Sequence, residues 1–125
     1  QNKELGLDLE FEVIGNDTLT TPIVMLHDAL GSVKHWREFP EKLSKRTGRK
    51  LLVYSREGSG SSQSLRQVRN IDYLHQQAKE VLPAILSGMK IEKPWLFGHS
   101  DGASIALIFA ASFPEQTSGL ILSAP

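Results

Sequence analysis

The pattern of apolar and polar residues changes along this chain. Near the N-terminus, acidic residues alternate with four apolar ones, namely Leu7, Leu9, Phe11 and Val13. A period of two puts the apolar side chains on one face of an extended segment, which is typical of a strand with one buried face. Further along, four short runs are apolar at every position: 23–26, 51–54, 95–97 and 120–122. Continuous runs of this length favour strands covered on both faces, as in a parallel sheet.

Between these runs, apolar residues recur at helical spacing. Three such segments are centred on residues 36–43, 74–89 and 105–109. Pro83 interrupts the second segment, where we expect a kink, because proline lacks the N–H that a helix interior requires. Strands that alternate with helices predict an α/β fold: a three-layer, doubly wound, mainly parallel sheet with helices on both faces.

Composition excludes several classes of protein. The chain has 125 residues, 40% hydrophobic and 22% charged, which indicates one globular domain or a piece of a larger one. Its formal net charge is zero, so neither nucleic acid nor a membrane surface is an expected partner. It has no Cys, which excludes a disulfide framework and thiolate metal sites. No leader is visible, so a cytoplasmic location is expected. Because the chain does not begin with Met, it is expected to be processed or excerpted.

The sharpest chemical signal is the sequence G-H-S-D-G-A at positions 98–103. The G-x-S-x-G pattern alone is weak, but here an apolar run leads directly in and an apolar helical segment leads out. On such a strand-to-helix turn a serine is held in strained geometry with its hydroxyl exposed, which makes Ser100 a candidate nucleophile. The helix start also offers N–H groups to a developing oxyanion, the N–H of Asp101 among them.

Two further segments follow apolar runs. H-D-A-L-G-S at 27–32 comes directly after the run 23–26, and S-R-E-G-S-G-S-S at 55–62 comes after the next run. A loop at 27–32 can supply a second oxyanion donor, for which the N–H of Ala29 is the candidate.

In this order and spacing, the three segments resemble the α/β-hydrolase fold superfamily. The stretch 98–103 matches its nucleophile elbow (Gly98-His99-Ser100-Asp101-Gly102) fully. His27 and Asp28 stand where the family usually has His-Gly, and Ser55 stands where it often has Asp. The resemblance covers about residues 7–125 and implies that Ser100 is the nucleophile, with Ala29 and Asp101 forming the oxyanion hole. With serine at position 100, the chain resembles the esterase, lipase, peptidase and C–C hydrolase branches of the superfamily.

One departure from the family is large. Its catalytic triad runs Ser, then Asp or Glu, then His along the chain. After Ser100 the only acids are Asp101 and Glu115, and all four His residues precede the serine. Residues 1–125 are therefore predicted to be the N-terminal part of a single α/β-hydrolase domain that stops after about the sixth strand. The later strands, the cap and the triad acid and histidine would be absent.

These features support two functional hypotheses. The first is a serine hydrolase that acts on a small ester or related acyl or carbonyl compound through an acyl-enzyme on Ser100. It would need no cofactor or metal. Residues 1–125 alone are expected to be inactive or only weakly active. The alternative is a non-catalytic half-domain. Because 120–122 would be an apolar edge strand with nothing later in the chain to pair with, it would self-associate or complement another chain through that edge.

Several features also have simpler interpretations. His99 is adjacent to Ser100 on a sharp turn, so a packed or hydrogen-bonded histidine is favoured over a base. Asp101 is equally explained as an acid in the first turn of a helix. Four side chains could be imagined as metal ligands: His27, Asp28, His99 and Asp101. The stretch 55–64 has no G-K-[ST] and is interpreted as a solvated loop rather than a phosphate-binding one.

Overall fold

A single sheet forms the centre of the molecule. The computed structural model describes residues 8–15, 21–29, 31–62 and 72–124. Its strands are β1 (Phe11–Ile14), β2 (Ile23–Leu26), β3 (Leu51–Tyr54), β4 (Trp95–His99) and β5 (Gly119–Ser123). They lie in the order β1-β3-β2-β4-β5, with β1 antiparallel to β3 and the other neighbours parallel. The predicted mainly parallel sheet is confirmed. The strand expected to be about the sixth is the fifth among the described residues.

Helices cover both faces of this sheet. They are α1 (Phe39–Thr47), α2 (Tyr73–Gln76), α3 (Leu82–Gly88) and α4 (Asp101–Ser112). On one face, inward side chains of the strands pack with those of α3 and α4, including Leu26, Leu96, Ile85, Ile105 and Phe109. On the other face, a smaller cluster joins Met25, Leu51 and Val53 to Trp36 and to Leu43 of α1. The three-layer, doubly wound arrangement follows from strands that are apolar on both faces.

The kink expected at Pro83 takes the form of a wider helical turn. A π-helical segment, Gln77–Val81, joins α2 to α3 and ends two residues before the proline. Proline cannot donate to the carbonyl four residues earlier and its ring crowds that carbonyl, so the preceding turn widens. The helix therefore continues past Pro83 instead of ending there.

The alternating pattern of the first strand holds only in part. Leu9 is 4% exposed, but Val13 is 47% exposed, although the pattern predicts that both are buried. β1 lies at one edge of the sheet, and the helices on that face pack over the central strands, which leaves Val13 uncovered. Leu7 lies outside the described residues.

Candidate active site

The backbone at Ser100 has a conformation that few residues other than glycine adopt. Its φ is 55° and its ψ is −115°, between the last residue of β4 and the first residue of α4. A non-glycine residue held in such a region costs about 1–3 kcal/mol, and such residues cluster at functional sites. The turn is fixed on both sides: the Ser100 N–H donates to the Ser123 carbonyl at 2.8 Å, and the Ser100 carbonyl accepts from the Ala103 N–H at 2.9 Å. The predicted elbow geometry is therefore present.

Two glycines allow this turn by their lack of a side chain. A Cβ placed on Gly98 would lie 2.6 Å from the carbonyl carbon of Gly102 and 2.7 Å from the Cα of Ala103. A Cβ on Gly102 would lie 2.5 Å from the carbonyl carbon of Leu26 and 2.8 Å from the carbonyl oxygen of His27. Neither glycine has a positive φ, so close backbone approach explains both.

The Ser100 side chain is half-buried and is not used to cap α4. In the part of the chain that the structure describes, its hydroxyl has no hydrogen-bond partner. The N–H groups of Asp101 and Gly102 belong to the first turn of α4 and so lack acceptors within the helix. A hydroxyl and oriented N–H groups therefore meet at the C-terminal end of β4, where the positive end of the helix dipole also lies.

The loop that carries Ala29 lies beside this elbow. Leu26, the last residue of β2, pairs with Gly98 of the neighbouring strand β4. The start of α4 at Gly102 packs directly against the backbone of Leu26 and His27. The structure thus brings Ala29, Ser100 and Asp101 to the same end of two adjacent strands. Their roles as donors and nucleophile remain predictions.

A buried side chain that the sequence pattern did not reveal holds this loop. Arg56 follows β3 and is 0% exposed. Its Nη1 donates to the His27 carbonyl at 2.7 Å and its Nη2 to the Asp28 carbonyl at 3.0 Å. Its Nε donates to the hydroxyl of Tyr73 in α2 at 3.2 Å. No sequence signal marks this arginine as buried, because polar residues of the Ser- and Gly-rich stretch surround it.

The interpretation of 55–64 as a solvated loop is wrong for its first half. Ser55, Arg56, Glu57 and Ser59 are all buried. Residues 63 and 64 lie outside the described residues. The loop packs inward because its polar groups have partners: the Ser55 hydroxyl both accepts from the Val33 N–H at 2.8 Å and donates to the Glu10 carboxylate at 2.7 Å.

Glu10 ties the N-terminal segment to the same loop. Its carboxylate also accepts from the Ser61 N–H at 3.1 Å. Its own N–H donates to the Ser62 hydroxyl at 2.6 Å. The pKa of Glu10 is lowered, chiefly by the hydrogen bond from the Ser61 N–H. Partial desolvation acts in the opposite direction, and the Ser55 hydroxyl and the charge of Lys34 add to the lowering. The charged form is the one that these hydrogen bonds stabilise.

The histidines and acids near the strand ends do not assemble as metal ligands. Both ring nitrogens of His27 are engaged, Nδ1 with the Asp28 carbonyl at 2.6 Å and Nε2 with the Arg56 N–H at 2.9 Å. His99 lies 3.1 Å from the Ser123 hydroxyl through Nδ1, as a hydrogen-bonded histidine would. Among the described residues, no group of three or more His, Asp or Glu side chains could hold a metal ion. Nor does any helix in the described ranges have the length and apolar character to cross a membrane.

The match to a family model agrees with this geometry. Residues 21–125 match the model of the alpha/beta hydrolase fold. The match includes the loop after β2, the loop after β3 and the elbow. The chain belongs to the α/β hydrolase fold family.

Individual relatives extend the comparison. Proline iminopeptidase of Lactobacillus helveticus is 28% identical over 120 residues, which is 95% of this chain and 40% of the relative. An alpha/beta hydrolase enzyme from a Medee basin deep-sea metagenome library superposes with a TM-score of 0.81 at 31% identity, over 93% of this chain and 40% of that one. A thermophilic esterase from Thermogutta terrifontis gives a TM-score of 0.77 at 25% identity, over 93% and 40%. The chain thus spans about two fifths of the length of the relatives that it matches.

Proposed function

We propose that this chain carries the nucleophile and the oxyanion-binding groups of a serine hydrolase that acts on a small ester or related acyl compound. The strained backbone of Ser100 at the start of α4 is the observation on which the proposal rests. Such a conformation destabilises the fold, and it is typical of functional residues. In a strand-to-helix turn of this kind it exposes the hydroxyl of a nucleophilic serine above the sheet.

In the proposed reaction, the Ser100 oxygen attacks the carbonyl carbon of the substrate and its proton passes to a base. The new C–O bond places a negative charge on the carbonyl oxygen, which the N–H groups of Ala29 and Asp101 would stabilise. Loss of one such donor typically costs about 10²–10³ in rate. Collapse of the intermediate expels the protonated leaving group and leaves an acyl-enzyme, which water then hydrolyses.

The base is the part of this reaction that the 125 residues do not supply. No histidine follows Ser100 in the sequence, and the family resemblance implies a later acid and histidine. We therefore expect full activity only where residues beyond these 125 contribute the base. The described residues alone would show at most the weak catalysis that an oxyanion hole provides without a triad.

The names of the relatives suggest two substrate classes. One is called a proline iminopeptidase and another an esterase. Both names describe transfer of an acyl group to water, which fits an acyl-enzyme on Ser100. A panel of p-nitrophenyl esters and prolyl p-nitroanilide, offered to the protein expressed from its full reading frame, would distinguish the two classes.

The test of the proposal is the Ser100→Ala variant of that protein. We expect kcat/KM for the better substrate to fall by about 10³-fold or more, because removing a nucleophile disables the whole triad. Ser104→Ala is the matched control: it removes a half-buried hydroxyl one turn further along α4 and should leave the rate unchanged. Retention of most activity in Ser100→Ala would overturn the proposal.

The non-catalytic alternative keeps one supporting observation. β5 pairs only with β4 within the described ranges, and Ile121 on this edge strand is 40% exposed. An unpaired apolar edge favours pairing with a further strand. Substrate turnover that Ser100→Ala abolishes would overturn this alternative, since a binding module does not need the hydroxyl.

A further inference from the structure

Arg56 buries a positive charge among hydrogen-bond partners that carry no charge. Within the ranges that the structure describes, no Asp or Glu forms an ion pair with this guanidinium, and the ion pair between Lys42 and Glu38 lies on the surface. Its three hydrogen bonds instead reach two backbone carbonyls and a tyrosine hydroxyl. A buried charge without an ion partner is costly, and an apolar residue of similar volume often does as well for stability. Stability alone is therefore a poor explanation for an arginine here.

Both carbonyls that Arg56 contacts belong to the loop that carries Ala29. The Asp28 carbonyl accepts from Arg56 Nη2, from His27 Nδ1 and from the Gly31 N–H, the last at 3.2 Å. Because the peptide unit is planar and trans, its C=O and N–H point in opposite directions. Fixing the Asp28 carbonyl toward Arg56 therefore fixes the Ala29 N–H away from Arg56.

The order of the strands shows where this loop lies relative to Arg56 and Ser100. β2, which leads into the loop, lies between β3 and β4. Arg56 follows β3 on one side, and Ser100 follows β4 on the other. The loop that carries Ala29 thus lies between the segment that contains Arg56 and the elbow that contains Ser100.

His27 braces the same peptide from within the loop. Its Nε2 accepts the backbone N–H of Arg56, so the ring is neutral and its proton sits on Nδ1. That Nδ1–H donates to the Asp28 carbonyl. The two residues therefore hold each other: the Arg56 side chain binds the loop backbone, and the His27 side chain binds the Arg56 backbone. His27 is only 2% exposed, so water does not compete for these bonds.

We propose that Arg56 and His27 are positioning residues that hold the peptide between Asp28 and Ala29 with its N–H directed at the oxyanion. This inference rests on the proposed function and deepens it. It assigns the arginine no contact with substrate. Its effect is exerted through the orientation of a single peptide unit.

The test compares Arg56→Met with Arg49→Met in the protein expressed from its full reading frame. Arg49 is a matched control, because its Nη1 also donates to a backbone carbonyl, that of Thr21 at 2.7 Å, but at the opposite end of the strands. We expect Arg56→Met to lower kcat for an oxyester by about 10- to 100-fold, somewhat less than the loss of a whole donor, with little change in KM. Arg49→Met should keep the wild-type kcat.

A thionoester analogue separates positioning from general damage to the fold. Its sulfur accepts hydrogen bonds poorly, so the wild type should hydrolyse it slowly and Arg56→Met should slow it little further. The ratio of kcat for the oxyester to kcat for the thionoester should therefore be much smaller in Arg56→Met than in the wild type. An unchanged ratio, or an equal loss in Arg49→Met, would overturn the inference.

Two further outcomes are distinguishable. If Arg56→Met does not fold, Arg56→Lys carries the test, since it keeps the charge but cannot reach both carbonyls in the same geometry. A folded Arg56→Lys with wild-type kcat and ratio would overturn the inference. If the wild type itself neither hydrolyses esters nor depends on Ser100, the proposed function fails, whatever the arginine variants do.

Discussion

The two backbone segments that meet at the site are held in position by different physical means. The elbow around Ser100 is fixed by close backbone packing, since neither Gly98 nor Gly102 has room for a side chain. The loop that carries Ala29 is fixed by hydrogen bonds from buried side chains, above all Arg56. The elbow should therefore be intolerant of added volume, whereas the loop should be intolerant of lost donors and acceptors.

The largest expected effect on stability comes from adding one methyl group to the elbow. In Gly102→Ala the new Cβ would overlap the backbone of Leu26, which lies in a central strand and cannot move independently. We expect the free energy of unfolding, measured by urea titration, to fall by about 3 kcal/mol or more.

Gly48→Ala is the control for this change. Gly48 has a φ of 69°, but nothing lies within 4 Å of a Cβ placed there. Only the left-handed backbone is penalised, by about 1–2 kcal/mol. Equal losses in the two alanine variants would mean that backbone contact does not define the elbow.

A smaller effect, of opposite sign, is expected at Ser100 itself. Replacement by glycine relieves the unfavourable backbone conformation at φ 55°, although glycine also gains entropy in the unfolded chain. We expect the free energy of unfolding of Ser100→Gly to be about 1 kcal/mol higher than that of the wild type. Ser100→Ala keeps a Cβ, so its free energy of unfolding should stay within about 0.5 kcal/mol of the wild-type value. Identical stabilities of the glycine and alanine variants would argue against strain at the nucleophile.

The smallest effect concerns the segment after β3, which contains Arg56, and it depends on pH. The pKa of Glu10 in the folded protein is lowered from its ordinary value of 4.5. The charged carboxylate therefore stabilises the fold fully at a pH above 4.5, and this stabilisation is lost as the pH falls through the pKa of the folded state. At pH 7, Glu10→Gln should lose about 1 kcal/mol or less. The difference between the two proteins should disappear when urea titrations are carried out in acid. A difference that stays constant with pH would show that the charge of Glu10 does not matter.

Most of the sheet could be predicted from sequence because its signal is local. The runs at 23–26 and 51–54 coincide with β2 and β3, since a strand buried on both faces needs apolar residues at consecutive positions. The elbow was equally visible, because a strand, a G-x-S-x-G turn and a helix are contiguous in the chain.

The polar interior around Arg56 could not be predicted in the same way. Its partners His27 and Tyr73 are distant in sequence, and burial of a guanidinium depends on all of them being in place. In the sequence, a Ser- and Gly-rich stretch with charged residues has the composition of an exposed loop. Here tertiary hydrogen bonds outweigh that composition, just as the sheet edge outweighs the alternating pattern at Val13.

The central claim, that Ser100 is an activated nucleophile facing an oxyanion hole, is tested most directly by a fluorophosphonate. This reagent forms a stable tetrahedral adduct with the nucleophile of a serine hydrolase. The protein from its full reading frame would be treated, digested and mapped by mass spectrometry. The predicted result is one stoichiometric adduct on the peptide that contains Ser100, absent from Ser100→Ala and retained in Ser104→Ala. An unmodified Ser100 in folded protein, or an adduct located only on another residue, would contradict the claim.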